Sequence, residues 1–312
     1  MNLIEDAVIF EIFGIRMYAY GTYVALGALC SLITLFAMSR TYSMKKGTAP
    51  LAFLLSSISG IICSRICFCL MNQELGKIMP LYSWPQITGG GWSMFGLIGG
   101  VFLGGWICSR ITGQKTGSIM DILSLSVLPL IIAERIGENR IEDFNISRTL
   151  QNEVIAKSFL AIGEEYNRCL MTYYVCAAVC LILFAVLLVS SRHMEDGCLA
   201  VSFLLLFGAA SIILESLRYD FFLSVSFVRL QQIAAAVMLA IGIILAIRHT
   251  NRPKSGLAVA SLICFTFMIA VVIGLEFALD RTTWNKIMIY GFMILTVCIP
   301  AILGLKMLKS NR

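Results

Sequence analysis

The sequence predicts an all-α fold, a polytopic integral membrane helical bundle, and three observations carry that prediction. Hydrophobic residues make up 59% of the 312 and charged ones only 13%, against roughly 45 to 50% and about 25% in a soluble domain. Apolar stretches recur at lengths that cross a hydrocarbon core of about 30 Å, which takes roughly 20 helical residues. Basic residues gather in alternate connections, the pattern expected when positive charge is kept on one side of a bilayer.

In chain order, spans fall at about 18–38, 50–70, 92–109, 118–133, 169–190, 198–217, 227–247, 256–279 and 287–307. Glu5, Asp6 and Glu11 precede the first, where a signal peptide would carry a basic region and a small-residue cleavage site, so this span is expected to be retained. Arg40, Lys45 and Lys46 follow it, Arg110 and Lys115 follow the third, and Arg192 follows the fifth. Arg248, Arg252 and Lys254 follow the seventh, and Lys306, Lys309 and Arg312 close the ninth, with Glu195 and Asp196 the only acids on this side. The bias predicts N-out, C-in. The fourth span is the shortest, because Glu134 and Arg135 end its apolar run.

The outer connections 71–91 and 134–168 are long, whereas the inner ones are short turns. Within the second, Ile146, Leu150, Val154, Phe159 and Leu160 lie among polar residues, which predicts a short amphipathic helix on the outer surface. The last two spans follow Asn251-Arg252-Pro253-Lys254 and hold almost no polar residues, so they read as an appended hairpin. The chain then divides into 1–250 and 251–312.

Several function classes drop out. The net charge of +6 is spread over loops with no basic stripe, which argues against nucleic acid. Most of the eleven cysteines fall inside spans and act as small apolar residues. Cys63, Cys67 and Cys69 are close in sequence but have no histidine near them, so no metal and no cofactor is expected. The two histidines, His193 and His249, fall in inner loops, and neither Gly-x-Ser-x-Gly nor His-Glu-x-x-His occurs.

Candidate chemistry centres on the charged segment 134–148 at the end of the fourth span, since ionisable groups at membrane depth are costly and therefore informative. Arg135, Arg140 and Arg148 form a cationic surface suited to a lipid phosphate, which arginine grips through a planar fork of donors. Gly89, Gly90 and Gly91, with Ser93 and Gly96 after them, put flexible backbone at the entry to the third span; they serve either anion binding or close helix packing. Within spans lie Arg65, Asp121, Glu215 and Arg218. Glu215 and Arg218 are three apart on one predicted helix and can pair, while Asp121 reads as a cap or topology residue.

These residues, in this order, resemble the prolipoprotein diacylglyceryl transferases, which move diacylglycerol from phosphatidylglycerol to a signal-peptide cysteine. Tyr18-Ala19-Tyr20-Gly21 and Gly27 resemble the family's first-span Tyr-Gly and later glycine. Cys63-Ser64-Arg65-Ile66 resembles Gly-Gly-Arg-Ile, and Gly90-Gly91-Trp92-Ser93 with Gly96-Leu97-Ile98-Gly99 resembles the glycine-rich element of the third span. Arg135-Ile136-Gly137 resembles the signature Gly-Arg-Leu/Ile-Gly-Asn. Gly208, Glu215 and Arg218 resemble the Tyr-Gly-x-x-Arg-x-x-x-Glu-x-x-Arg helix, and Gln232 the following Gly-Gln. The pattern breaks at Phe95 for a histidine, Glu138 for the signature asparagine, Ser211 for an arginine and Phe207 for a tyrosine; the fifth-span entry is also altered, at 169–175.

The resemblance implies seven family-like spans, a bacterial inner membrane location with an outward-facing site, and a phosphatidylglycerol and a prolipoprotein signal peptide as partners. It implies that Arg135 binds substrate, helped by Gly90, Gly91, Ser93, Gly96, Arg218 and Arg65, with Arg140 and Arg148 as the adjoining cationic surface; Tyr20 is the retained residue nearest the thiol proton, and Glu138 and Glu215 are the local carboxylate candidates. Two other functions compete with transfer: binding of anionic lipid or signal peptide without turnover, and secondary transport through the buried Arg65, Glu215 and Arg218.

Overall fold

The computed structural model describes residues 8–12, 15–71, 91–140, 146–150, 153–163, 168–218, 224–225, 228–249, 255–282 and 284–309. Among them, nine helices are long and apolar enough to cross a membrane. They are α1 (Ala19–Thr41), α2 (Thr48–Met71), α3 (Met94–Thr112), α4 (Thr116–Gly137), α5 (Thr172–Ser190), α6 (Cys198–Leu217), α7 (Leu230–His249), α8 (Ser255–Arg281) and α9 (Lys286–Lys309). The chain forms two compact units, Met1–Val186 with Leu217–Phe221, and Leu187–Ser216 with Phe222–Arg312.

In the first unit, a hairpin of β1 (Val8–Ile12) and β2 (Ile15–Tyr18) runs directly into α1. The best-buried helix is α4: 61% of its apolar window is covered, against 22% for α1. The uncovered flank of α1 carries Leu26, Leu29 and Ile33, each more than half exposed. Such a stripe would be an aggregation site in water and is at home against lipid.

Small residues set the close approaches. On α3, Gly96, Gly100 and Gly104 recur every four residues, and a Cβ at each would run into the α2 backbone at Cys63, Ser59 and Leu55. Close backbone contact of this kind drives helix association where the surrounding lipid removes any hydrophobic drive. Hydroxyls reinforce the seam: Ser59 Oγ donates to Gly100 O at 2.7 Å and Ser56 Oγ to Val101 O at 3.1 Å. Gly27 of α1 packs against Leu130 and Ala133 of α4 in the same manner.

The second unit is built on α6, of which 83% of the apolar window is buried. Gly208 lies against Ala235 and Leu239 of α7, and Leu205 is gripped by Gly242 of α7 and Gly304 of α9. Thus α8 and α9 share one compact unit with α6 and α7.

Several sequence expectations need correction. The fourth span is not the shortest: α4 has 22 residues, against 19 for α3 and α5, because Glu134 and Arg135 pair with each other and the helix continues through them. Among the described residues of 146–171, strands replace the expected amphipathic helix. They form a three-stranded antiparallel sheet of β3 (Ile146–Thr149), β4 (Ala161–Ile162) and β5 (Cys169–Met171) around one helical turn, Glu153–Ala156. Ser147 Oγ accepts the Leu170 N–H at 2.7 Å, so the polar residues serve strand pairing rather than a helix face. Strands also delay two helices: α5 starts at Thr172 after β5, and α7 at Leu230 after the hairpin of β6 (Ser224–Val225) and β7 (Val228–Arg229). Lys115, not Asp121, holds the N-cap position of α4, and Asp121 is fully buried six residues further on. Arg218 lies one residue past the end of α6 rather than on it.

Candidate active site

Five helix ends of the first unit converge at one end of its bundle. Arg135 occupies the last turn of α4, where a cation suits the negative end of the helix dipole. It is 4% exposed. Its Nη1 donates to Glu138 Oε1 at 2.6 Å, its Nε lies 3.4 Å from Glu134 Oε2, and its Nη2 faces Met94 Sδ of α3 at 3.2 Å. Glu138 is buried with it. From the start of α1, Tyr20 Oη donates to Glu134 Oε1 at 3.5 Å, a long bond. Gly137 allows that approach, because a Cβ there would stand 3.0 Å from Tyr23 Cβ and 3.3 Å from Tyr20 Cδ2. From α5, Tyr174 Oη accepts Asn139 Nδ2 at 2.9 Å. Arg218, which belongs to the same unit, lies within electrostatic range of Glu134.

A second group lies where α2 ends and α3 begins. Arg65 is buried, donates Nη1 to Gly91 O at 3.0 Å and stacks over Phe68, with 5.7 Å from Cζ to the ring centroid. Gly91 has φ +84°, and a Cβ would strike the Phe68 ring, so only glycine fits. Ser93 caps α3 by accepting Gly96 N at 3.3 Å, while its own N–H donates to Ser64 Oγ at 2.9 Å and Ser64 Oγ donates to Ser93 O at 2.8 Å. The Ser93 amide therefore points into the α2–α3 seam, and the Gly96 amide is held by the Ser93 cap. Among the described residues, no group of three or more His, Cys, Asp or Glu side chains is placed to hold a metal.

The chemistry available at the α4 end is anion exchange on a guanidinium. Arginine binds carboxylate and phosphate through the same fork of donors, so a guanidinium that holds the Glu138 carboxylate has the chemistry to hold a phosphate. With two carboxylates and a phenol within reach, the same corner can also accept a proton.

The family model for prolipoprotein diacylglyceryl transferase matches residues 7–248. The chain belongs to this family. A phosphatidylglycerol–prolipoprotein diacylglyceryl transferase of Clostridium novyi is 23% identical over 262 residues, 80% of this chain and 98% of the relative. Those of Staphylococcus haemolyticus and Staphylococcus carnosus are 24% and 26% identical over 253 and 250 residues, covering 78% and 76% of this chain and 87% and 88% of the relatives. Membership places the chain among membrane transferases of the diacylglyceryl class.

Of the residues singled out from the transferase resemblance, Tyr20, Arg135, Glu138 and Arg218 share the first unit with Arg65, Gly91, Ser93 and Gly96. Glu215, 2% exposed near the end of α6, belongs to the second unit. Gly90 lies outside the described residues, as do the side chains of Arg140 and Arg148. Two departures from the transferase pattern sit in a packed apolar layer of α6: Phe207 stacks on Phe203 at 5.1 Å between centroids, and Ser211 is buried one turn on. Sequence reasoning passed over Glu134 as a site group, although it stands four residues before Glu138 and hence on one helical face. It also missed Met94, Asn139 and Tyr174, for which no local spacing gives a signal.

Proposed function

We propose that this protein transfers diacylglycerol from phosphatidylglycerol to the lipobox cysteine of prolipoproteins, with the lipid phosphate bound at Arg135. The observation that carries the reading is a buried arginine at a helix end, ringed by Tyr20, Glu134 and Glu138, in a chain of this family. The phosphate displaces the Glu138 carboxylate from Nη1, and the freed carboxylate becomes the nearest base. The cysteine sulfur forms a bond to the terminal glyceryl carbon while that carbon's bond to the phosphate oxygen breaks. Glycerol phosphate leaves with the bonding electrons, and the thiol proton passes to Glu138, Glu134 or the departing phosphate. Thiolate is the reactive form, so an acceptor close by raises the rate. In this reading the N-terminus faces out, the C-terminus in, and the site opens to the outer face of a bacterial inner membrane. Residues 1–250 constitute the transferase domain and 251–312 the appended hairpin, with Glu215, Arg218, Arg65, Arg140, Arg148 and the Gly90 to Gly96 backbone assisting the substrate.

The test is release of glycerol phosphate from phosphatidylglycerol by purified protein in the presence of a lipobox peptide. Arg135→Ala is expected to lower it about 10²- to 10³-fold, the usual cost of losing a preorganised electrostatic contact. One observation favours a second reading, lipid binding without turnover: Arg135 already holds two carboxylates. Lipid binding that is lost in Arg135→Ala, with no glycerol phosphate released by the native protein, would establish that reading and sink transfer.

A further inference from the structure

Helices α8 and α9 lie beyond residue 248, where the family match ends. Their sequence reads as plain hydrocarbon, yet α8 carries a buried carboxylate. Glu276 is 7% exposed, whereas its neighbour Phe277 is half exposed, so α8 turns Glu276 inward. Its Oε1 accepts Gln232 Nε2 of α7 at 2.6 Å.

Gln232 is the hub of three connections. Its Oε1 accepts the backbone N–H of Arg229 at 3.1 Å. That is the reciprocal half of a capping box, with the third helical residue reaching back to the residue before α7. Its Nε2 also donates to Ile212 O of α6 at 3.3 Å. A carboxamide has two N–H donors, and each here has an acceptor, one on α6 and one on α8. Without Glu276, one donor would be buried in apolar surroundings with no partner, at the desolvation cost such groups carry. The second added helix reaches the same place, as Tyr290 Oη donates to Ser216 O at 3.3 Å. Ser216 is among the last four residues of α6, whose carbonyls have no partner within the helix. Both contacts therefore bear on the last two turns of α6, which carry Glu215.

We propose that Glu276 is a positioning residue: through Gln232, and together with Tyr290, the added hairpin fixes the last two turns of α6 and so the placement of Glu215. The inference rests on the reading of Glu215 as a group of the transferase site. It makes the hairpin part of the working enzyme and not an anchor.

The experiment compares full-length native protein with Glu276→Ala, Glu276→Gln, Gln232→Leu and the Gln232→Leu/Glu276→Ala double variant in lipid nanodiscs. Glycerol phosphate release and hydrogen–deuterium exchange of residues 205–217 are followed together. Glu276→Ala is expected to lower kcat about tenfold with KM for phosphatidylglycerol changed less than twofold, and to speed exchange in 212–217 but not in α4. Glu276→Gln still offers an oxygen to Gln232 and should keep kcat within about threefold. The double variant should be no worse than Gln232→Leu alone. Native kcat and exchange in Glu276→Ala, or losses that multiply in the double variant, would overturn the proposal. Should the native protein release no glycerol phosphate, the transferase reading fails; the exchange data then decide the positioning inference alone, unchanged exchange in 212–217 overturning it.

Discussion

The α2–α3 seam and the last turn of α4 are both rich in family-like residues, and they use them in opposite ways. In the seam, Ser64, Ser93, Gly96 and Gly100 serve packing: the Ser64 hydroxyl bonds the Ser93 backbone, and Gly96 and Gly100 let the backbones of α2 and α3 touch. At the end of α4, Arg135 and Glu138 are buried at a cost that packing does not require, since two apolar side chains would fill the space with no desolvation penalty. A motif thus has two kinds of member, those that bring the helices together and those held in place by the result. The second kind is expected to hold the lipid phosphate directly.

The contrast can be broken most forcefully at Gly100, where any side chain collides with the Ser59 and Gly60 backbone of α2. Gly100→Leu should abolish the monodisperse folded protein, since overpacking costs about 1 to 3 kcal/mol and more where backbone is the obstacle. Size-exclusion profiles in detergent check this; a folded but inactive Gly100→Leu would mean that the seam itself contributes chemistry. Arg135→Ala comes next, with the loss of turnover given above and about 3 to 5 kcal/mol of stability lost by breaking the buried pair with Glu138. Glu138→Asn sharpens the comparison in the other direction. Freed of one carboxylate and still paired with Glu134, Arg135 should bind phosphatidylglycerol about tenfold more tightly, or about 1.4 kcal/mol. Weaker binding in a lipid titration of this variant would show that Glu138 aids the head group. The smallest effect is expected from Tyr20→Phe, whose 3.5 Å bond to Glu134 is long: a fall of about three- to tenfold in kcat, measured in the same release assay.

The nine spans were legible because bilayer thickness imposes both length and composition on a helix. The true end of α4 was hidden for an instructive reason. Charge was taken as the end of the span, whereas Arg135 and its two carboxylates neutralise one another and the helix carries them inward. The Arg135–Glu138 spacing of three was readable in the sequence; the link of Tyr20 to Glu134, 114 residues apart, was not. The sheet around β5 escaped because strands of two to four residues leave too short a periodicity to read. Glu276 escaped because a single acid in the long apolar body of a 27-residue helix barely alters its hydropathy, and its partner Gln232 lies 44 residues away.

The lengths of the helices carry a consequence for the membrane that hosts them. At about 1.5 Å per residue, the 19 residues of α3 reach about 28 Å and the 27 residues of α8 about 40 Å. A core of about 30 Å matches the first and falls short of the second, so α8 must tilt or push its ends into the head groups. Glu276, five residues before the end of α8, then rides deeper or shallower as the acyl chains lengthen or shorten. The lipid would act on this enzyme as a solvent of adjustable thickness as well as a substrate.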